Sequence, residues 1–183
     1  MLELRISHPA VTIIKYLEIL EKEFSRPLNI IEVGSIESIT VEALLGDGHS
    51  TLYIAKWVSE NALKHSFTSV DKSQATVREH LSKKGLDKHL TLLEKEWHDA
   101  IEDLKDSKID LVYLDASCEP LDALAEFKAF EPLMQKGGII LIDDIDPSLQ
   151  FSKKGEHLFN YLKESYKIII ENGMMAVRIG ESL

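Results

Sequence analysis

Leu28-Asn29-Ile30-Ile31-Glu32-Val33-Gly34-Ser35, followed after Ile36 to Leu45 by Gly46-Asp47-Gly48-His49-Ser50-Thr51, decides the fold of this chain. The apolar run Leu28 to Val33 predicts a strand, and the pattern from Thr51 to Leu63 predicts a helix. A glycine-bearing loop joins them. Glycine lets backbone approach a ligand closely, and the first free N–H groups of the following helix favour a negatively charged group. Strand, glycine loop and helix N-terminus in that order open a nucleotide-binding α/β domain.

The rest of the chain keeps the same rhythm. Strands are expected at 28–33, 66–70, 89–93, 109–114, 138–142, 166–171 and 174–179, with helices at 9–24, 49–64, 73–84, 98–105, 119–134 and 153–163. Near-continuous apolar runs such as Ile109 to Leu114 and Gly138 to Ile142 suit strands buried on both faces of a parallel sheet. Strands separated by helices imply right-handed crossovers and a doubly wound sheet. Asn172-Gly173, between the last two runs, is a strong hairpin signal. The predicted architecture is an α/β, doubly wound, Rossmann-like and mostly parallel seven-stranded sheet that ends in an antiparallel hairpin. Residues 1–27 read as a helical extension and 28–183 as the α/β domain. The first helix, with Ile14, Leu17, Leu20 and Phe24 at helical spacing, is expected to cover a sheet edge. Its alternative roles are a wall of the substrate pocket or the contact of a homodimer.

Composition narrows the function. The 183 residues carry 44% hydrophobic residues and a formal charge of −10, with a mean hydropathy of −0.09. An acidic surface with no basic stripe repels phosphate backbones, so nucleic acid is not an expected partner. Cys118 is the only cysteine, which excludes an intrachain disulfide and a multi-cysteine zinc site. Met1 to Pro9 lack an apolar signal-peptide core, and no apolar run approaches the roughly 18 residues of a membrane span. The expectation is a cytoplasmic protein without a membrane partner.

Further landmarks follow the glycine loop. Phe67-Thr68-Ser69-Val70-Asp71 is a strand ending in an acid, and Leu90 to Trp97 is a strand running into Glu96-Trp97. Ile109 to Asp115 ends in a second acid, and Leu133 to Asp144 carries Gly137-Gly138 and ends in Asp143-Asp144. As a set these resemble a class I S-adenosylmethionine-dependent methyltransferase over about Leu28 to Ile179, and are similar to its small-molecule O-methyltransferases. The resemblance implies that Gly34, Ser35, Gly46, Gly48, His49, Ser50 and Thr51 curl around the methionine part of S-adenosylmethionine. It implies that Asp71 accepts hydrogen bonds from both ribose hydroxyls and that Glu96 or Trp97 borders the adenine. Glu32 either contacts the cofactor or braces the glycine loop through backbone N–H groups.

Blander readings stand beside these. The glycines serve an ordinary turn, Asp71 caps the helix that begins near Ser73, and Trp97 is core packing. NAD-dependent dehydrogenases share the early pattern, but a compact G-x-G-x-x-G is missing and the terminal hairpin is typical of methyltransferases. The stretch Ile36 to Leu45 interrupts the glycine loop where the family has no insertion, either as a lid over the cofactor or as a local bulge.

Asp115, Asp143 and Asp144 stand at the ends of the fourth and fifth inferred strands, beside the crevice where doubly wound sheets bind ligands. Three converging carboxylates repel unless a cation or protons intervene. The set resembles the Mg²⁺ ligands of metal-dependent catechol-type and sugar O-methyltransferases, with a plain polar strand terminus as the alternative. Asp115 is the expected catalytic residue, bordering both cofactor and acceptor. The family often supplies a histidine or lysine after this aspartate, but Asp115-Ala116-Ser117-Cys118-Glu119 has neither, and His8, His49 and His157 are the histidines left to reach the pocket. The expected function is methyl transfer to a hydroxyl of a small-molecule acceptor. Methyl transfer to nitrogen and cofactor binding without catalysis are the competing readings.

Overall fold

The computed structural model describes residues 9–35, 49–117, 119–145 and 153–181. The run that opens the sequence becomes strand β1 (Asn29–Val33), whose residues Ile30 to Val33 are buried. After it come helix α2 (Ser50–Glu60), β2 (Ser66–Asp71), α3 (Ala75–Lys84), β3 (Thr91–Glu94), α4 (Trp97–Leu104) and β4 (Ile109–Leu114). Helix α5 (Pro120–Phe130), β5 (Met134–Ile142), α6 (Lys153–Leu162), β6 (Ile168–Glu171) and β7 (Met174–Arg178) complete the order, and α1 (Pro9–Phe24) precedes it.

The strands form one sheet of order β3-β2-β1-β4-β5-β7-β6. All pairs among the first five strands are parallel. β7 then inserts antiparallel between β5 and β6, as the hairpin reading requires. Asn172 and Gly173 both take positive φ, 51° and 79°, as the first-choice two-residue turn for twisted strands demands. Winding starts at β1, runs out to β3 and returns to β4, so the switch point lies between β1 and β4. In such sheets the ligand crevice opens outside the carboxyl ends of those strands.

Alternate residues of each strand enter two cores on opposite faces. One joins Ile30, Leu111, Tyr113 and Ile139 to α1, α2 and α3; the other joins Ile31, Val33, Val112 and Ile140 to α4, α5 and α6. Helix α1 packs Ile13, Leu17 and Leu20 into the first core, over the central strands rather than over a sheet edge as expected. Lys15 pairs with Glu171 at 2.7 Å and the Asn172 amide donates to Thr12 Oγ1 at 3.0 Å, fastening the helix to the hairpin. At the opposite end of the strands, buried Asp110 accepts two bonds from Arg26 and the Asn29 N–H.

Boundaries shift where local chemistry overrides periodicity. The helix expected over 119–134 stops at Phe130, because Pro132 removes a backbone donor and Glu131–Leu133 tightens into a single 3₁₀ turn. β5 therefore begins at Met134, with a register shift against Ile109 to Leu111, rather than at Gly138. A 3₁₀ turn at Asp87–His89 delays β3 to Thr91. Among the described residues no helix is long and apolar enough to cross a membrane.

Candidate active site

The strand ends continue in register beyond their last ladder residues. Gly34 N–H donates to Val70 O at 2.9 Å, Asp115 N–H to Val33 O at 2.8 Å and Asp143 N–H to Leu114 O at 3.1 Å. Those bonds set Asp71, Gly34, Asp115 and Asp143 in a row along the carboxyl edge, on both sides of the switch point.

Gly34 is held at φ +94°, and a Cβ built there would lie 2.5 Å from Asp115 O. Only glycine fits between the two central strand ends. Gly34→Ala is expected to cost about 1–3 kcal/mol, because backbone on both sides has to yield; thermal denaturation of the variant against wild type measures it.

On one side of Gly34 is Asp71, half-buried, with its Oδ2 accepting the Ser35 N–H at 2.7 Å and its Oδ1 the Ser73 N–H at 2.9 Å. The carboxylate thus spans the glycine loop and the turn leading to α3. The expected capping role is partly present, though α3 itself starts at Ala75 with Gln74 at its N-cap. Ser35 Oγ is buried without a hydrogen-bond partner among the described residues. A buried hydroxyl left unpaired beside a carboxylate suits a polar ligand atom that supplies the missing bond.

Glu32 is fully buried and its donors are side-chain hydroxyls, not the backbone N–H groups expected. Ser50 donates to Oε1 at 2.6 Å, and Thr51 and Ser69 donate to Oε2 at 2.7 Å each. Ser69 faces Glu32 directly in the β1–β2 register. Ser50 and Thr51 therefore spend their hydroxyls on Glu32, which pins the start of α2 to the core; what they retain for a ligand is backbone N–H. Burial pushes the Glu32 carboxyl up to about 7, against the lowering effect of the three hydroxyls. His49 is buried at the N-cap of the same helix, its ring 6.1 Å from that of His80. Gly46, Gly48 and the stretch Ile36 to Leu45 lie outside the described residues, as do His8 and Cys118.

Glu96 is exposed at the N-cap of α4, and Trp97 opens that helix. The indole is half-buried against the second core, so part of it packs as an ordinary core residue and part faces outward. His157 is exposed on α6.

Across the switch point the acids behave differently from a free cluster. Tyr113 Oη donates between Asp143 Oδ2, at 2.5 Å, and Asp115 Oδ2, at 3.1 Å. Asp143 Oδ1 accepts the N–H of Asp144, whose own backbone takes φ +56° and whose side chain is exposed. Three of the four oxygens of Asp115 and Asp143 are engaged internally. Burial, with the neighbouring Asp143 charge second, pushes Asp115 well above the usual carboxylate range; burial likewise raises Asp143. Among the described residues no group of three His, Cys, Asp or Glu side chains is gathered so as to hold a metal ion. As arranged, Asp115, Asp143 and Asp144 do not fit the Mg²⁺ set the resemblance implied.

Sequence reasoning passed over three members of this region. Tyr113 reads as one more apolar residue of β4, although its place two before Asp115 puts both on one face of the strand. Among the described residues, Glu126 on α5 is buried with neither oxygen hydrogen-bonded, and Lys154 on α6 is buried with its Nζ making no hydrogen bond. Glu126 lies in an otherwise amphipathic helix and Lys154 in a Lys-Lys pair, which both read as solvated faces.

The methyltransferase-domain family model matches residues 44–145, more than half of the chain. The chain belongs to that family. No curated protein matches this methyltransferase by sequence. Among solved structures it is similar to cofactor-bound Rv0187 from MTB, with 13% identity and a TM-score of 0.66 over 100% of this chain and 83% of that one. It is also similar to CalS11, the TDP-rhamnose 3'-O-methyltransferase of calicheamicin biosynthesis, with 16% identity and a TM-score of 0.65 over 93% and 80%. A third is the MycE methyltransferase of the mycinamycin pathway, in complex with Mg and SAH, with 13% identity and a TM-score of 0.62 over 91% of this chain and 49% of that chain. At such identities the likeness establishes the fold, and the methyltransferase sheet found here is the one those proteins share.

Proposed function

We propose that this methyltransferase moves a methyl group from S-adenosylmethionine to a hydroxyl of a small molecule. The observation that carries the reading is the row Asp71, Gly34 and Asp115 across the switch point, one carboxylate on each side of a glycine with no room for a side chain. The O-methyltransferases among the structural relatives support the choice of a hydroxyl acceptor.

S-adenosylmethionine supplies an electrophilic methyl group on a sulfonium sulfur. The remaining tasks fall to the chain. Asp71, already aimed by the Ser35 and Ser73 N–H groups, keeps lone pairs for the ribose hydroxyls, and Ser35 Oγ offers a further polar contact. The backbone at Gly34 admits the cofactor close to the strand ends, and Trp97 borders the adenine. On the far side, the acceptor hydroxyl would have to give up its proton to the protein as it takes the methyl group. A carboxylate whose proton affinity is raised by burial is a better base than one in water, which gives Asp115 this role, with Tyr113 fixing its orientation.

Incubation with methyl-labelled S-adenosylmethionine and a panel of catechols and hydroxylated sugars tests the reading. Labelled methyl ether is expected from at least one acceptor, and its rate should fall by about 10²–10⁴-fold in Asp115→Asn if that carboxylate is the general base. Transfer to amine acceptors alone would refute the hydroxyl assignment.

A further inference from the structure

Strand β6 is the outer strand of the sheet, and among the described residues no strand pairs with its free side. Such an edge leaves a row of N–H and C=O groups open to another chain. Two isoleucines of this edge face solvent, Ile169 at 45% exposure and Ile170 at 49%. Proteins usually blunt an open edge with charge or proline. Here three consecutive isoleucines stand between one lysine and one glutamate, in the run Lys167-Ile168-Ile169-Ile170-Glu171.

The direction of each backbone group follows from the ladder on the other side of β7. Ile179 N–H donates to Gly138 O at 2.9 Å, and Gly173 O accepts the Ile145 N–H at 3.0 Å. Gly173, Met175, Val177 and Ile179 therefore turn their backbone groups toward β5, and Met174 and Ala176 turn theirs toward β6. Their partners Glu171 and Ile169 are occupied by those bonds. The N–H and C=O of Ile168 and Ile170 point out of the sheet. Side chains alternate as well. Ile169 and Glu171 lie on the α1 face, opposite Ala176 and Met174, and Lys167, just before the strand, falls on the same face.

Set antiparallel against a second copy and centred on Ile169, the segment is complementary to itself. Ile168 then stands opposite the partner's Ile170, and each such pair exchanges both of its outward hydrogen bonds. Ile169 meets the partner's Ile169 as a non-hydrogen-bonded pair, the type whose side chains come closest. Lys167 stands opposite the partner's Glu171, and Glu171 opposite the partner's Lys167. Shifting the register by one residue sets outward groups against inward ones, and shifting it by two sets both charges against uncharged residues. The two-fold axis crosses the sheet, so the two α6 helices stand on one face. Tyr161 of α6 lies under Lys128 of α5 at 4.6 Å, and Phe159 is exposed on the opposite flank, turned to the partner's α6.

We propose that a second copy of this chain docks on β6 and continues the sheet across a two-fold axis at Ile169. The charges choose the partner and the register, while the isoleucines and the open backbone supply the contact. Helix α1, the other candidate for a dimer contact, spends Ile13, Leu17 and Leu20 on the first core. The pairing is independent of the methyl-transfer reading, since β5 and β7 separate β6 from the crevice between β1 and β4.

Sedimentation velocity of the full chain is the test. Wild type is expected at twice the 20.7 kDa mass of the chain. Lys167→Glu and Glu171→Lys each set like charges against one another across the axis, and each is expected to shift the mass to that of the monomer. Mixed in equal amounts, the two variants are expected to regain the dimer, because each then faces the opposite charge in the other. A monomeric wild type overturns the proposal, as does a wild-type dimer that neither substitution weakens or a mixture that stays monomeric. Glu171→Lys also gives up the pair with Lys15, so hydrogen exchange of wild type provides a second reading that needs no substitution. The amides of Ile168 and Ile170 are expected to be protected at chain concentrations where the dimer forms; free exchange of both under those conditions overturns the proposal.

Discussion

Asp71→Ala is expected to weaken binding of S-adenosylhomocysteine by about 2–4 kcal/mol, or about 30- to 1000-fold in Kd. Two ribose hydroxyls would lose a charged acceptor at once. The structure adds a second source of loss, because the same carboxylate holds the Ser35 and Ser73 N–H groups at 2.7 and 2.9 Å. Without it the backbone beside Gly34 is no longer fixed before the ligand arrives, and ordering it draws on binding free energy. Asp71→Asn separates the contributions. An asparagine oxygen can keep one backbone N–H, so its affinity should fall between those of wild type and Asp71→Ala. Calorimetry on all three checks this, and equal affinity for Asp71→Ala and wild type would remove Asp71 from the cofactor site.

The largest loss of stability is expected at Glu32. Glu32→Ala strips the acceptor from the hydroxyls of Ser50, Thr51 and Ser69 in the core and opens a cavity between β1, β2 and α2. The expected cost is about 3–5 kcal/mol, which lowers the melting temperature of a chain this size by about 6–20 °C. Glu32→Gln isolates the ionisation. The native carboxyl titrates at about 7 against 4.5 for the free group. Between those values the folded state holds a proton that the unfolded state has released. Wild type therefore has the benefit of its buried proton fully at low pH and loses it as the pH climbs through that window to about 7. Glu32→Gln has no such dependence. Its stability relative to wild type should improve by about 2–3 kcal/mol from acid to neutral pH. Urea denaturation at pH 4.5 and pH 8 measures the change, and a difference independent of pH would contradict the burial of an ionisable group there.

The sheet was legible because its signals are local. Ile30 to Val33 and Ile109 to Leu114 are near-continuous apolar runs with one acid each, Asn172-Gly173 marks a two-residue turn, and none of these signals depends on distant packing. Seven strands, their parallel pairing and the antiparallel insertion followed from those patterns. Errors fell where one residue breaks a period, as Pro132 does at the end of α5. The places of Gly34 and Asp71 in the fold were legible too, since both stand at strand ends that the pattern itself locates. Glu32 was harder. Its acid type suggested a ligand contact, and only the register opposite Ser69 with the return of α2 shows hydroxyls closing on it. Lys154 and Glu126 could not be found this way. Charged residues on amphipathic helices normally face water, and their burial arises where α5 and α6 pack on each other, a contact between elements distant in sequence.

Methyl transfer by this chain requires the crevice between β1 and β4 to hold S-adenosylmethionine. Isothermal titration calorimetry of S-adenosylhomocysteine into wild-type protein is the direct measurement, since the product needs no acceptor and undergoes no reaction. Saturable binding at one site per chain, weakened by Asp71→Ala while the fold stays intact by circular dichroism, is the predicted result. Absence of any binding to folded wild-type protein would contradict it.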